Sequence, residues 1–226
     1  MIEPKFKNVS DCGVLVELGS EINDETSNAI YALDKRIASA NIKGVVEVIP
    51  ALINLLVIFD PILADHIDIQ AAVSKLFPIS NSADGRVAKH VIDVCYDDEF
   101  APDLTNVADA CGLTEDAVIN KHLTSELRVS MYGFAPGYAY MSGLSASIQV
   151  PRKNTALRDV PAGSVIIAGP QCLITMIKMP TGWSIIGRTH AKVMTGNEDK
   201  PFLFNVGDKV SFRRISKDKY LEAENA

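Results

Sequence analysis

From about residue 126 onward, no apolar run lasts long enough to become a helix before a glycine or proline interrupts it. ELRVSMY, SVIIAG, CLITMIKM, WSIIGRT, FLFNV and KVSFRRI follow one another at close spacing. Many short strands with turn residues between them bury a common face by closing into a barrel or stacking as a sandwich. The first part of the chain keeps other periods. VLVEL (14–18) reads as a strand. NDETSNAIYALDKRIASA then places Ile30, Leu33 and Ile37 on one helical stripe, with Asn23 or Asp24 as N-cap and Gly44 beyond the end. VVEVI (45–49) and INLLVIF (53–59) read as strands. A second amphipathic helix, about 65–77, buries Ile69, Val73 and Leu76 and stops at Pro78. The order β-α-β-β-α predicts a small sandwich with two helices on one face of a sheet. PISNSADGRVA (78–88) is the best linker in the chain. After it come a strand, KHVIDVCY, and two short helices opened by Pro102 and Thr114 and separated by Gly112. The expected organisation is α+β: a small N-terminal α/β sandwich over 1–84, a β-barrel domain over 85–216, and a tail over 217–226, frayed or disordered.

Composition narrows the function classes. A formal net charge of −6 and a pI near 5.2 argue against a nucleic-acid or anionic-membrane binder. No run approaches the ~18 apolar residues of a spanning helix, and MIEPKFKNVSDCG lacks the apolar core of a signal peptide. A cytoplasmic protein is the expectation. Cys12, Cys95, Cys111 and Cys172 form no C-x-x-C pair and read as buried free thiols rather than a zinc knuckle or disulfide framework. There is no G-x-x-x-x-G-K-[ST], G-x-G-x-x-G, H-E-x-x-H or G-x-S-x-G. Isolated histidines predict no metal site.

Unusual residues concentrate between 122 and 189. YGFAPGYAYMSGL (132–144) fits neither a helical nor a strand period. It reads as a stiff loop in which Gly133, Pro136 and Gly137 hold Phe134, Tyr138 and Tyr140 and present backbone amides. VPRKNTALRDVPAGS (150–164) brings Arg152, Lys153 and Arg158 beside Pro151, Pro161 and Gly163. PTGWSIIGRTH (180–190) carries Gly182, the lone tryptophan Trp183, and Arg188. Three arginines on Gly/Pro-held loops of an acidic protein predict a small-anion site, because the guanidinium fork suits a carboxylate or phosphate. His122 follows a helix and precedes the strand into the glycine loop. It can cap the helix dipole or, titrating near neutrality, carry a proton.

GFAPGYAYMSGL, VPRK, RDVPAGSVIIAG and PTGWSIIGRT, in that order, resemble the family of 5-oxoprolinase B-type subunits. That family is also called allophanate hydrolase subunit 1, and one member is known as an inhibitor of a sporulation histidine kinase. The resemblance runs from SDCGVLVELG to VGDKVSFRRI and includes VIPALINLLVIFDP, VCYDDEFAPDL and the NKH before the loop. It implies a cyclophilin-like barrel, a fold that does not itself imply prolyl isomerase activity. It also implies partners, a larger C-type subunit and an A-type subunit, which together open 5-oxoproline to glutamate with ATP. The same pair of domains occurs in the carboxyltransferase part of urea carboxylase. Because this chain ends just after the barrel, a separate polypeptide is the expected partner. Activating a poor amide electrophile needs cations around the developing charge and an acid/base group near the nitrogen, and the expected charge stabilisers are Arg152, Arg158 and Arg188, with His122 for proton transfer. Gly133, Phe134, Pro136, Gly137, Tyr138, Gly163, Gln171, Gly182 and Trp183 are expected to surround the substrate. Where the family has Pro-Arg, Gln-Thr-Gly and Ser-Pro-Gly-Gly-Trp, this chain has Leu157-Arg158, Gln171-Cys172-Leu173 and Met179-Pro180-Thr181-Gly182-Trp183. The family also commonly has tyrosine near Leu127, and phenylalanine at Tyr138. Side-chain bulk at Leu173 and Thr181 keeps the scaffold and changes the lining, and the resemblance implies 5-oxoproline or a related lactam or amide as substrate. Two further readings are a regulatory module docking on a histidine kinase, and a carboxyltransferase component acting on a urea-like substrate with biotin carried elsewhere.

Overall fold

The computed structural model describes residues 3–79 and 87–224, in two compact units, Met1–Arg86 and Val87–Ala226. Most of the linker expected at 78–88, and the boundary placed at residue 84, lie outside the described residues.

In the first unit, β1 (Lys5–Val9), β2 (Gly13–Glu17), β3 (Val45–Pro50) and β4 (Asn54–Phe59) form an antiparallel sheet in the order β1-β2-β4-β3. Alternation puts Val14, Val16, Leu55 and Val57 on one face, against Ile30, Leu33 and Ile37 of α1 (Asp24–Ala40) and Ile69 and Val73 of α2 (His66–Ser74). Each such aliphatic side chain, buried, contributes roughly 1.5–3 kcal/mol. Asn23 caps α1 by accepting from Thr26 N at 2.8 Å. At its far end Asn41, with φ 46°, makes the left-handed turn expected of Gly44. Asp65 and Asp68 close a reciprocal capping box on α2, which ends at Ser74. Leu76 packs on the core from beyond the helix end, so the apolar stripe outlasts the helix. β1 has no counterpart in the sequence reading. It is an edge strand, exposed but for Phe6, and a polar edge carries no period-2 signal.

The second unit is a closed seven-stranded barrel in the order β10-β7-β6-β15-β5-β12-β9. Its strands are β5 (Lys89–Cys95), β6 (Leu127–Tyr132), β7 (Ala139–Ser142), β9 (Ser164–Ala168), β10 (Gln171–Ile174), β12 (Ser184–Arg188) and β15 (Lys209–Ile215). β5 and β15 pair in parallel, Lys89 opposite Lys209 through Cys95 opposite Ile215. Two ribbons lie outside the barrel: β8 (Leu157–Val160) with β11 (Met179–Thr181), and β13 (Met194–Asn197) with β14 (Lys200–Phe202). α3 (Leu104–Cys111) and α4 (Glu115–Leu123) bury Leu104, Val107, Val118 and Ile119 in the barrel core. All five residues of β9 are buried. Val165 and Ile167 join the barrel core, while Ile166 and Ala168 join a separate cluster with Leu173, Ile185, Tyr138, Val160 and Trp183. A strand covered on both faces reads as the continuous apolar run SVIIA.

The tail, expected as a frayed helix or disordered, forms the helix α5 (Lys217–Glu224), anchored by buried Tyr220 in a cluster with Cys95 and Phe100. Cys95 and Cys172 are buried free thiols, whereas Cys12 and Cys111 are only half-buried. Among the described residues no helix is long and apolar enough to cross a membrane.

Candidate functional site

The sequence-selected residues separate into three environments. The first is the outer face of β9, β10 and β12. Trp183, 5% exposed, packs its ring edge-on to Tyr140 at 5.9 Å, and the exposed Arg152 lies over its face at 5.5 Å. That placement is fixed from both sides. Lys153 N donates to Gly182 O at 2.7 Å, and Lys153 Nζ pairs with Asp103 at 2.6 Å. The same Asp103 carboxylate accepts from Ile185 N at 2.8 Å. The carboxylate at the start of α3 thus ties the arginine loop to β12, a link between positions too distant in sequence to be read as a motif.

The glycine loop closes over the same cluster. Tyr138 is buried, its hydroxyl donates to Met179 Sδ, and Phe134 meets its ring at 5.6 Å. Phe134 has φ 70°, a left-handed conformation costly for a bulky side chain. Gly137 has φ 80°, and a Cβ there would lie 2.8 Å from Met194 Cγ and 3.1 Å from Met176 Cγ. The amide expected of Gly133 is not offered outward: Gly133 N donates to Tyr138 O at 3.2 Å, and Ala135 N to Gly133 O at 2.9 Å. The loop satisfies itself and presents the exposed Phe134 and Pro136 instead. Arg158 is exposed on β8, two residues before the clustered Val160. Half-buried Gln171 opens β10, opposite Ser142 and Ala168.

Arg188 lies elsewhere, at the end of β12. Its guanidinium sits 5.4 Å over Phe100, and its buried Nε has no hydrogen-bond partner among the described residues. Gly163, with φ 79°, is its neighbour: a Cβ there would lie 2.2 Å from Thr189 O and 3.7 Å from Arg188 Cγ, so only glycine fits. Arg152 and Arg188 therefore stack on different aromatic rings, Trp183 and Phe100, while Arg158 is exposed on β8. Each loop's glycine and proline content is legible in the sequence, but not which side of the barrel each loop reaches.

His122 occupies the third environment, the barrel interior. It is fully buried and stacks on Phe212 at 4.6 Å. Nδ1 lies 2.7 Å from Tyr96 Oη, and Nε2 lies 3.5 Å from Cys172 Sγ. Burial pushes its pKa down from 6.5 to about 3, raises the Cys172 thiol, and raises the Tyr96 phenol well above its ordinary value. All three groups are neutral near pH 7. A phenol donating to Nδ1 leaves the Nε2 proton aimed at sulfur. His122 stands in the last turn of α4, as expected of a helix-terminal residue, but it is buried and neutral near pH 7.

Sequence reasoning passes over a cleft of about 540 Å³ beside Tyr96, lined by Asp97, Asp98, Glu99, Asp116, Arg214 and Lys217 among others. Arg214 pairs there with Asp116 at 2.9 Å and Lys217 with Glu99 at 2.5 Å. The run YDDEF is its only linear sign. Among the described residues no group of three or more His, Cys, Asp or Glu could hold a metal ion.

The barrel unit, its helix-and-sheet companion and the loop-covered face define a carboxyltransferase-type module: residues 4–204 match the carboxyltransferase domain, subdomain C and D, and the chain belongs to that family. Within it, the chain is 33% identical to the B subunit of 5-oxoprolinase from Bacillus subtilis (strain 168), over 96% of this chain and 95% of that protein. The crystal structure of TTHA0988 superposes with a TM-score of 0.78 at 28% identity, covering 90% of this chain and 39% of that one. Kluyveromyces lactis urea carboxylase shares the fold, with a TM-score of 0.76 at 17% identity over 98% of this chain and 22% of its own.

Proposed function

We propose that this chain is the B-type subunit of an ATP-dependent cyclic-amide hydrolase, opening 5-oxoproline or a related lactam to the amino acid. In this reading it shares its active site with a larger C-type subunit and works with an A-type subunit. The supporting observation is the near full-length likeness to proteins named as the B subunit of 5-oxoprolinase, together with the arginine held over the Trp183 ring. Trp183 and Tyr140 supply an aromatic wall, and Arg152 stands over it with its guanidinium exposed.

A lactam is a poor electrophile. ATP serves as co-substrate of the complex by activating the amide oxygen, after which water opens the ring. The contribution of this chain is to bind and orient. Arg152 holds the substrate carboxylate against Trp183, and Arg158 adds positive potential at the rim. Arg188, backed by Phe100, is a second cation for developing charge only if the partner extends the site to that end of β12. His122, neutral and sealed, packs within the barrel core.

ATP hydrolysis by the chain assembled with its C- and A-type partners, with and without 5-oxoproline, tests this reading. Stimulation by 5-oxoproline that vanishes when this chain is omitted is expected. Undiminished stimulation without the chain would sink it.

A further inference from the structure

Four large apolar side chains of the barrel unit stand exposed around one loop: Phe134 (75%), Ile177 (56%), Met194 (49%) and Leu157 (45%). They are linked through the loop and the cluster beneath it. Phe134 packs on Tyr138, and Tyr138 bonds Met179, whose strand β11 pairs with Leu157 of β8. Gly137 lies against Met194 and Met176, and Ile177 follows Met176. Large apolar side chains exposed around one loop mark an interaction site, and methionine adapts to a partner's contours. The left-handed Phe134 adds a second sign, because a bulky residue held at positive φ is retained where its position matters.

We propose that this patch docks the larger subunit of the complex, with Phe134 entering an apolar pocket edged by carboxylates. The inference rests on the multi-subunit reading above. Charge favours that occupant. Arg158 follows Leu157, Lys192 stands two residues before Met194, Arg152 stacks on Trp183 of the supporting cluster, and Asp159 is already paired with Lys178 at 3.0 Å. Glu198 and Asp199 are confined to the hairpin tip between β13 and β14. A two-fold contact of the patch with a second copy would set the same arginines against each other. Chain length points the same way. In TTHA0988 the matching region is 39% of the chain, so there the module is covalently joined to a larger remainder.

The test is the affinity of the full chain for the purified larger subunit, measured calorimetrically without ATP or lactam. Phe134→Gly removes the ring and suits the left-handed backbone. It is expected to weaken binding by about tenfold or more while the melting temperature stays level or rises. Arg158→Glu is expected to weaken binding and reduce its salt dependence. Ile62→Asp, at a 90% exposed position of the other unit, is expected to bind like wild type. Unchanged affinity for Phe134→Gly, equal loss for Ile62→Asp, or no binding by wild type would each overturn the proposal. So would self-association that Phe134→Gly abolishes. Tight, Phe134-dependent binding without lactam-stimulated ATP turnover would instead sink the enzyme reading and leave the docking surface standing.

Discussion

The two faces of β9, β10 and β12 are lined by alternate residues of the same strands, yet they solve opposite problems. Inward, Val165, Ile167, Cys172 and Ile186 pack a core whose polar members, His122 and Tyr96, satisfy each other. Outward, Ile166, Leu173 and Ile185 support Tyr138 and Trp183, and the polar groups stacked above them reach solvent. A buried polar network confers rigidity only when complete. A buried aromatic cluster capped by an exposed cation keeps its binding capacity in that cation. The stability of this barrel should therefore depend on the inner face and its recognition on the outer one.

The largest expected effect is at the inner face. His122→Ala removes a stacked ring from a sealed site, strands the Tyr96 hydroxyl, and leaves a cavity. A cost of roughly 3–5 kcal/mol follows by analogy with aromatic core truncations, readable as a shift in urea midpoint. A cost under about 1 kcal/mol would mean the network is slack and the comparison wrong.

Acid titration comes next. In the unfolded chain His122 binds its proton near pH 6.5, while in the fold it does so only near 3. Between those values the unfolded state carries the extra proton, so stability is full above the upper one and falls as pH drops. The slope attributable to this ring approaches about 1.4 kcal/mol per pH unit, flattening once the pH is below the folded value. Comparing wild type with His122→Leu from pH 7 to 4 isolates the ring from carboxylates titrating in the same window. Parallel curves would show that water reaches the histidine.

The outer face should break at its anchor before its wall. Asp103→Ala leaves the Lys153 ammonium and the Ile185 amide without their shared acceptor, at a cost of about 1–3 kcal/mol. It should also release the loop that holds Arg152, raising the lactam KM of the assembled enzyme. Loss of stability with an unchanged KM would separate the pin from the arginine.

How much of this is legible in the sequence follows from what each signal measures. Ile30, Leu33 and Ile37 announce their helix because one face meets a core and the other meets water. The short runs after residue 126 announce a barrel because turn residues are local. β1 is silent because an exposed edge has no alternation to show. The site is half legible. The loop around Phe134 and the arginine and tryptophan segments are found, since glycine, proline and aromatic residues stand out in one dimension. Their grouping is not, because pairing Arg152 with Trp183 but Arg188 with Phe100 is decided by strand order in the closed barrel. His122 reads as a helix terminus, and the three aromatic and thiol groups around it come from β10, β15 and the residue just after β5.

The smallest expected effect on stability belongs to the residue with the most direct proposed role. Arg152 is exposed, and a cation stacked on tryptophan at such a site is worth about 0.5–1 kcal/mol. Arg152→Ala should therefore barely move the melting curve, yet lower kcat/KM for the lactam in the assembled enzyme by about tenfold or more, about 1.4 kcal/mol of transition-state binding. Arg152→Lys sharpens the point: it keeps the charge and loses the planar fork, so it should recover only part of the loss. If alanine leaves kcat/KM unchanged, the outer face binds a partner and not a substrate. If lysine restores it fully, Arg152 supplies charge alone and the stacked geometry over Trp183 has no part in recognition.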